Sequence, residues 1–179
     1  DKFLSKVVTS GEVAMLAVNR NKFGKKFYHL GPPRDNSIFE KVQENKTTLE
    51  KCDFILCTGL FDKQEDDLEY YKTLLKDHTS KKFMCTNPDL VVHRGNVEEL
   101  CAGSIAKIFE SIGGEVIYYG KPYTEVYKMC FNQGEKVLAI GDNLRTDIKG
   151  ANNLKIDCIF ISDGVHRKEF NNFSELKKL

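Results

Sequence analysis

Two aspartates and a lysine are the residues of this sequence whose types and spacing suit ion binding or catalysis. Asp142 ends the apolar run VLAIG, and Asp147 follows five positions later in VLAIGDNLRTDIKGAN, residues 137–152. A glycine before Asp142 lets the backbone turn closely, so both carboxylates can reach one point above the end of a buried strand. Mg²⁺ suits such a place, because it takes one or two carboxylates and keeps water and phosphate as its other ligands. The spacing fits equally well a helix that begins at Asp142 and Asn143, with Asp147 interacting with the helix dipole.

The lysine is Lys121, which follows the apolar stretch EVIYYG and precedes Pro122, a residue suited to the first turn of a helix. A lysine at a strand end can neutralise a phosphate group or a carboxylate. The plainer alternative is a solvated loop lysine. A helical stretch separates Lys121 from the strand VLAIGD, so we expect the two strand ends to be neighbours in one sheet.

Strand-like and helix-like segments alternate along almost the whole chain. Continuous apolar runs that end at Gly or Pro predict strands, and apolar residues at helical spacing predict helices. The alternation predicts an α/β fold with a mostly parallel sheet. The predicted strands lie at 6–10, 25–30, 52–59, 81–89, 115–122, 136–142 and 156–164. The predicted helices lie at 11–21, 37–43, 66–79, 97–114, 123–134 and 146–153, with a loop at 90–98 and a helical tail after 165.

Composition and charge argue against several functions. The hydrophobic share of 41% is ordinary for a soluble globular protein, and the net charge of +1 gives no general preference for nucleic acid or anionic membranes. No apolar run reaches the roughly 18–20 residues of a membrane span. The six cysteines include no Cys-x-x-Cys pair, which favours reduced, buried thiols in a cytoplasmic protein. The four histidines have no spacing typical of a metal site and are expected on the surface or in loops.

In combination, the lysine at one strand end and Gly-Asp-x-x-x-x-Asp at the next resemble motifs three and four of the haloacid dehalogenase-like (HAD) phosphatases. The order of the other segments is similar to that of the class IIA branch, with its p-nitrophenyl-phosphatase and phosphoglycolate-phosphatase types. Those segments are VVTSGE, DFILCTGL, FMCTNPD, CAGSIAKIFESIGGEVIYYGKP and SDGVHRKEF, and the resemblance covers residues 6–170. It implies a partial Rossmann-like HAD core, with a parallel sheet and flanking helices, plus an α/β class IIA (C2) cap.

The resemblance also implies a role for each matching residue. Lys121 matches the motif-three lysine, which supports an aspartyl nucleophile and the phosphoryl group. Asp142 matches the Mg²⁺ ligand of motif four, and Asp147 matches the second acid, which completes or orients the metal shell. The cap turn that faces the active site and influences substrate choice matches Asn87, Pro88 and Asp89. The implied cofactor is Mg²⁺ and the implied substrate is a small phosphorylated metabolite.

The reaction of that family begins with attack on phosphate by an aspartate of an Asp-x-Asp motif, and no Asp-x-Asp occurs in this sequence. We therefore expect a chain that begins after motif two. Residues 1–10 are then the remnant of a core strand, 11–113 the cap and 114–179 the C-terminal part of the core. We expect such a chain to bind Mg²⁺ weakly and to be inactive alone. We also expect its incomplete sheet to pair with an N-terminal half or with a second copy.

Three functions stay open at this point. The first is a Mg²⁺-dependent phosphate-ester hydrolase, favoured for the lineage by Lys121, Asp142 and Asp147. The second is a non-catalytic remnant or binding module that keeps the cap and half of the site, favoured for this chain by the absent Asp-x-Asp. The third is a response-regulator-like or nucleotide-binding α/β domain, which is weakened by the absence of a GxxxxGK or GxGxxG phosphate loop.

Overall fold

The computed structural model describes residues 6–94 and 97–176. Backbone contacts divide the chain into two compact units, residues 1–120 and residues 121–179. Within the described parts of both units, every helix is too short or too polar to cross a membrane.

The described residues form eight short strands and six α-helices. The strands are β1 Phe27–Leu30, β2 Phe54–Cys57, β3 Lys82–Cys85, β4 Val91–Arg94, β5 Val97–Leu100, β6 Glu115–Tyr118, β7 Leu138–Gly141 and β8 Asp157–Phe160. The α-helices are α1 Ser10–Asn19, α2 Leu68–Leu75, α3 Ala102–Ser111, α4 Thr124–Tyr127, α5 Lys149–Leu154 and α6 Phe173–Leu176. Pro33–Asn45 and Lys76–His78 are 3₁₀-helical, and Leu144–Ile148 is a π-helical turn.

A four-stranded parallel sheet in the order β1-β2-β3-β6 is the centre of the first unit. All four residues of β2 are buried, which is typical of a parallel strand covered on both faces. β4 and β5 form a separate antiparallel hairpin. The predicted α/β class, with a parallel sheet and flanking helices, is confirmed.

α1 and α2 of the first unit begin at side-chain caps, and α3 covers the sheet with apolar residues. Thr9 Oγ1 accepts a hydrogen bond from the backbone N–H of Glu12 at 3.1 Å, which caps α1. α3 packs against α2, β3 and β6. Phe109 of α3 stacks on Phe83 of β3 with ring centroids 4.9 Å apart, and both rings are fully buried. Burial of a side chain of this size stabilises the fold by roughly 1.5–3 kcal/mol.

The second unit has a smaller sheet, in which β7 and β8 are parallel and Ile140 lies opposite Ile159. α5 packs against β8 and α4, and Ala151 of α5 is fully buried. α5 ends where Lys155 takes a left-handed backbone conformation with φ 57°, a common way to end a helix. Only one face of the two-stranded sheet is therefore covered by these helices: Leu138, Ile140 and Ile159 stay exposed.

Two predicted elements of the first unit are wrong. Residues 6–9 of the predicted strand 6–10 form no regular element, because Thr9 serves as the cap of α1. The remaining residues of the predicted N-terminal remnant, 1–5, lie outside the described residues. The predicted loop at 90–98 contains β4 and the start of β5, which continues to Leu100. The Gly95-Asn96 pair between them, also outside the described residues, is a sequence signal for a hairpin.

The predicted helix at 123–134 is much shorter in the structure, since α4 ends at Tyr127. Beyond it, the N–H of Met129 donates to the carbonyl of Val126 and the N–H of Cys130 donates to that of Tyr127, so the last turn tightens to 3₁₀ spacing. Further along, Asn132 Nδ2 donates to Glu135 Oε1 at 2.8 Å. A side-chain bond of this kind offers an alternative to helical hydrogen bonding.

The expectation that the ends of β6 and β7 are neighbours in one sheet is wrong, because β6 pairs with β3 and β7 pairs with β8. The contacts also divide the chain after Gly120, so β6 belongs to the first unit. The predicted boundary between 113 and 114 places this strand with the C-terminal region instead. The assignment of residues 11–113 to a cap and of 114–179 to a core stays a prediction, and residues 177–179 lie outside the described residues.

Candidate functional site

Lys121 and Asp147 form an ion pair in the second unit. Lys121 Nζ lies 2.5 Å from Asp147 Oδ1. The lysine side chain is 52% exposed and the aspartate side chain 13% exposed, so the pair has one side open to solvent. The Lys121–Pro122 peptide bond is cis. The segment is tied to α5 because Asn153 Nδ2 donates to the carbonyl of Pro122 at 3.4 Å.

Asp147 is placed by the π-helical turn that follows β7. In this turn the N–H of Ile148 donates to the carbonyl of Asn143 at 3.1 Å, a wider spacing than in an α-helix. The turn brings the Asp147 carboxylate back to the strand end, where Oδ2 accepts the N–H of Asn143 at 3.1 Å. Gly141 is required for this approach, since a Cβ at that position would lie 2.3 Å from the Cβ of Asp147. Both oxygens of Asp147 therefore have a donor.

Asp142 is held from the other side by the turn after β8. Its Oδ2 accepts the backbone N–H of Val165 at 3.0 Å. The neighbouring Gly164 packs so closely that a Cβ there would lie 2.3 Å from the same oxygen. Among the described residues Asp142 Oδ1 has no hydrogen-bond partner, so one oxygen of this carboxylate can bind something else.

The prediction that the histidines lie on the surface or in loops is wrong for His29, which lies in β1 and is 5% exposed. His166 lies in a turn, as predicted, although its side chain is only 1% exposed. His166 Nε2 lies 3.4 Å from Asn143 Oδ1, directly beside the Asp142 site. Sequence reasoning also missed Val165, because a backbone N–H leaves no signal in the residue type. The Asp163-Gly164 pair, a turn signal, could have pointed to this segment.

Tyr127 of α4 lies against α5 and near Asp147. A Cβ on Gly150 would lie 2.0 Å from its hydroxyl oxygen. That hydroxyl is buried and has no hydrogen-bond partner among the described residues. Burial first, and then the charges of Asp147 and Cys130, raise the pKa of Tyr127 to about 12. The phenol is therefore neutral at physiological pH.

The predicted cap-turn residues Asn87, Pro88 and Asp89 lie in the first unit, directly after β3. Asn87 Oδ1 accepts the N–H of Asp89 at 3.1 Å, which closes a local turn. The carbonyl of Asp89 accepts the N–H of Gly103 at 3.1 Å. A Cβ on Gly103 would lie 2.4 Å from the carbonyl oxygens of Pro88 and Asp89. The turn is thus fixed on the first residues of α3 by hydrogen bonding and by close packing.

The first unit contains a cavity of about 740 Å³ beside this turn. It opens at the carboxyl ends of β2 and β3, the usual place for ligands in parallel sheets. The lining is mostly polar and includes three carboxylates and one lysine. The lining residues are Thr9, Ser10, Gly11, Glu12, Met15, Asn19, Asp35, Ser37, Ile38, Glu40, Lys41, Thr58, Thr86 and Asn87. Of the predicted site residues, Asn87 lies at this cavity, whereas Lys121, Asp142 and Asp147 lie in the second unit.

The carboxylates of the second unit fit a Mg²⁺ ion with few protein ligands. No group of three or more His, Cys, Asp or Glu side chains in the described parts of the chain is arranged to hold a metal. Mg²⁺ commonly binds one or two carboxylates and completes its shell with water and phosphate. Asp142 suits direct binding because one of its oxygens is held by Val165 and the other is open. Asp147 suits an orienting role, because Lys121 and Asn143 already occupy its oxygens.

Residues 118–176 match the HAD-hydrolase-like family of proteins. The ribonucleotide monophosphatase NagD of Escherichia coli K12 is 31% identical to this chain over 88 residues, which are 47% of this chain and 34% of NagD. A haloacid dehalogenase-like hydrolase from Brucella suis superposes with a TM-score of 0.79 at 32% identity, over 89% of this chain and 65% of the other. A 4-nitrophenylphosphatase from Thermotoga maritima superposes with a TM-score of 0.70 at 28% identity, over 97% of this chain and 66% of the other.

The parallel α/β fold and these matches make the chain similar to HAD-like hydrolases, with the family match confined to residues 118–176. The chain spans about a third of the length of NagD and about two thirds of the length of the two solved structures. Glycerol phosphate phosphatase of Mycobacterium tuberculosis, a fold relative at 21% identity, has been solved with magnesium and with calcium.

Proposed function

We propose that the second unit is half of the active site of a Mg²⁺-dependent phosphate-ester hydrolase and that this chain alone does not turn over its substrate. The observation that carries the proposal is the placement of Lys121, Asp142 and Asp147 around the end of β7, with Lys121 Nζ 2.5 Å from Asp147 Oδ1. A cation and an open carboxylate oxygen at one strand end provide the two kinds of group that bind a phosphate and a metal ion.

Each residue has a defined task in this site. The half-exposed ammonium of Lys121 neutralises phosphoryl oxygens, while Asp147 fixes the direction of the lysine side chain. Asp142 offers its open oxygen to Mg²⁺, and the N–H of Val165 fixes the orientation of the carboxylate. When bound, Mg²⁺ polarises phosphoryl oxygens and stabilises the negative charge that develops on them.

The proposed lack of turnover follows from the side chains that are present. Attack on phosphorus by the family route needs a carboxylate that is free to act as a nucleophile. Both oxygens of Asp147 accept hydrogen bonds, and Asp142 is assigned to the metal ion. The sequence contains no Asp-x-Asp to supply a further carboxylate. The chain is therefore expected to bind Mg²⁺ and phosphate weakly without cleaving an ester.

The specific observation that favours a second function, a non-catalytic binding module, is the cavity of the first unit. This cavity has the volume of a small-molecule site and needs no nucleophile to hold a ligand. Its hydroxyl and amide groups suit a small polar metabolite, and three carboxylates against one lysine favour a metabolite without net negative charge. A module of this kind would bind the metabolite with or without Mg²⁺.

The test measures binding and turnover separately on the purified chain. Calorimetric titration with MgCl₂ is expected to show one weak site that is lost in Asp142→Asn and kept in Asp163→Asn, an exposed aspartate of the same unit. Hydrolysis of p-nitrophenyl phosphate with Mg²⁺ is expected to be absent. Turnover by the pure chain that Asp142→Asn abolishes would refute the proposed lack of activity, and failure to bind Mg²⁺ would refute the metal site.

A second experiment separates the hydrolase from the binding module. Expression of the chain together with its upstream coding sequence, followed by a panel of phosphate esters with Mg²⁺, should reveal turnover if the site is completed by an aspartate strand. Lys121→Met should then reduce this turnover, whereas Lys128→Met, which alters an exposed lysine beyond α4, should not. An inactive extended protein that still binds a metabolite favours the binding module.

We further propose that the exposed apolar face of β7 and β8 associates with a second copy of the chain or with an N-terminal half. Ile140 is 65% exposed and Ile159 46% exposed, although they lie opposite each other in a parallel sheet. Parallel sheets are normally covered on both faces. An uncovered face of this kind favours association.

A further inference from the structure

His166 is the most buried side chain of the turn that holds Asp142. It directly follows Val165, whose N–H donates to Asp142 Oδ2 at 3.0 Å. The imidazole is 1% exposed. The other residues of this turn that surround it, Val165 and Arg167, are exposed. His166 is therefore the buried side chain of a turn whose neighbouring residues are exposed to solvent.

The ring of His166 contacts the residue next to Asp142. Its Nε2 lies 3.4 Å from Asn143 Oδ1. That same oxygen accepts the backbone N–H of Arg145 at 2.9 Å, which identifies it as the amide oxygen, since an amide NH₂ could not accept this bond. An acceptor at Asn143 requires a hydrogen on Nε2. His166 therefore donates a long hydrogen bond to Asn143.

The opposite ring nitrogen faces an acidic side chain of the same turn. His166 Nδ1 lies 2.9 Å from Glu169 Oε1, without the alignment of a hydrogen bond. Glu169 Oε2 in turn lies 3.6 Å from the guanidinium of Arg145. The segment 164–169 is thus connected to the helical turn after β7 at two points, through Asn143 and through Arg145.

We propose that His166 is a positioning residue for Asp142. The imidazole fixes the segment 164–169 on Asn143, and this places the N–H of Val165 where it holds one oxygen of Asp142 and leaves the other open. Gly164 adds to the same contact by its close approach to Asp142. The placement of the carboxylate stands on the geometry alone, whereas its consequence for Mg²⁺ rests on the proposed function.

Three variants separate hydrogen bonding from packing. His166→Phe keeps a ring of similar size and removes the donor to Asn143. His166→Gln keeps an amide donor near the position of Nε2 and is expected to restore much of the effect. His29→Gln is the matched control, because it replaces another buried histidine, in the first unit, where it contacts Thr58.

The first readout is hydrogen exchange of the Val165 amide by ¹⁵N NMR, without metal. His166→Phe is expected to speed exchange at Val165 roughly tenfold relative to the unchanged chain, because the bond to Asp142 then opens more often. In His166→Gln, the Val165 exchange rate is expected to lie between that of the unchanged chain and that of His166→Phe. In His29→Gln, the Val165 exchange rate is expected to stay unchanged. Equal exchange at Val165 in the unchanged chain and in His166→Phe would overturn the proposal.

The second readout is Mg²⁺ binding by calorimetry on the same proteins. Loss of a residue that orients a metal ligand typically weakens metal binding about 10- to 100-fold, so His166→Phe should bind Mg²⁺ less tightly by that amount and His166→Gln should recover most of the loss. If the unchanged chain binds no Mg²⁺, the proposed function fails while the Val165 exchange still decides the role of His166. If Mg²⁺ binds and His166→Phe leaves its affinity unchanged, the positioning role fails alone.

Discussion

Lys121 and Asp147 are 26 positions apart in the sequence and form an ion pair of 2.5 Å in the structure. The pair connects the residue after Gly120 to the π-helical turn after β7. Since Asp147 is nearly buried and Lys121 is half exposed, the aspartate is the fixed partner and the lysine the one that can reach a ligand.

Mutation of both partners should show a small, salt-dependent coupling. For Lys121→Met, Asp147→Asn and the double variant, the coupling in unfolding free energy is expected to be about 0.5–1 kcal/mol at low salt, because the lysine is partly solvated. It should decrease in 1 M NaCl, where charges are screened. Urea denaturation of the unchanged chain, the two single variants and the double variant measures the unfolding free energies from which the coupling is calculated. No coupling at low salt would contradict the ion pair.

The close approach of Asp147 to Gly141 predicts a sensitive glycine at the end of β7. Gly141→Ala places a Cβ within 2.3 Å of the Asp147 side chain, so either the strand or the turn must move, at a cost of about 1–3 kcal/mol. Gly11→Ala is the control, because the nearest atom to its Cβ lies 4.0 Å away and the position is in α1. Urea denaturation should show a loss for Gly141→Ala alone, and equal stability of the two variants would contradict the packing.

Buried His29 predicts that stability falls in mild acid. Burial first, and then the charge of Lys46, lower its pKa from 6.5 to about 4. Between these values the unfolded chain binds the proton and the folded chain does not, so stability is lost as pH falls from about 6.5 to about 4. The expected loss is about 3 kcal/mol, and it levels off below the folded pKa.

The pH effect is measured by urea denaturation between pH 7 and pH 4. His29→Gln should reduce the slope of stability against pH, whatever its stability at pH 7, because the titrating group is gone. His78→Gln, a change at a less buried histidine of the same unit, keeps His29 and should keep the slope. A slope unchanged in His29→Gln would mean that other groups cause the acid sensitivity.

The exposed face of β7 and β8 predicts association. If a second copy covers this face, sedimentation of the unchanged chain should show a mass that rises with concentration. Ile140→Lys places a charge at the centre of the face and should shift the equilibrium toward monomer. Val97→Lys, at an exposed aliphatic residue of the first unit, should leave association unchanged. A monomer at all concentrations, before any mutation, would argue against self-association.

Much of the secondary structure could be predicted from local patterns. The apolar run at 52–59 contains β2, and the helical spacing at 66–79 contains α2. The end of the helix predicted at 123–134 could not be found in this way, because the local hydrogen bonds that follow α4, including those between Asn132 and Glu135, leave no signal in the apolar spacing. β4 and β5 were missed because their sequences, VVHR and VEEL, mix apolar and polar residues and form no continuous apolar run.

The candidate site was predictable only in part, because the sequence shows residue types but not burial or backbone contacts. Lys121, Asp142 and Asp147 carry their chemistry in the residue type, so their motif could be read. Val165 acts through a backbone N–H, and His166 acts because it is buried. Neither property can be read from the residue type.

The sequence by itself determined most of the order of strands and helices, the α/β class and the carboxylates at the end of β7, because hydrophobic periodicity and motif spacing are local properties. Only the tertiary structure decided that β6 pairs with β3 rather than with β7, that Lys121 reaches Asp147 and that His166 is buried beside Asn143. These outcomes depend on which distant segments pack together, and the free energy of that packing comes from pairs of surfaces that no single segment specifies.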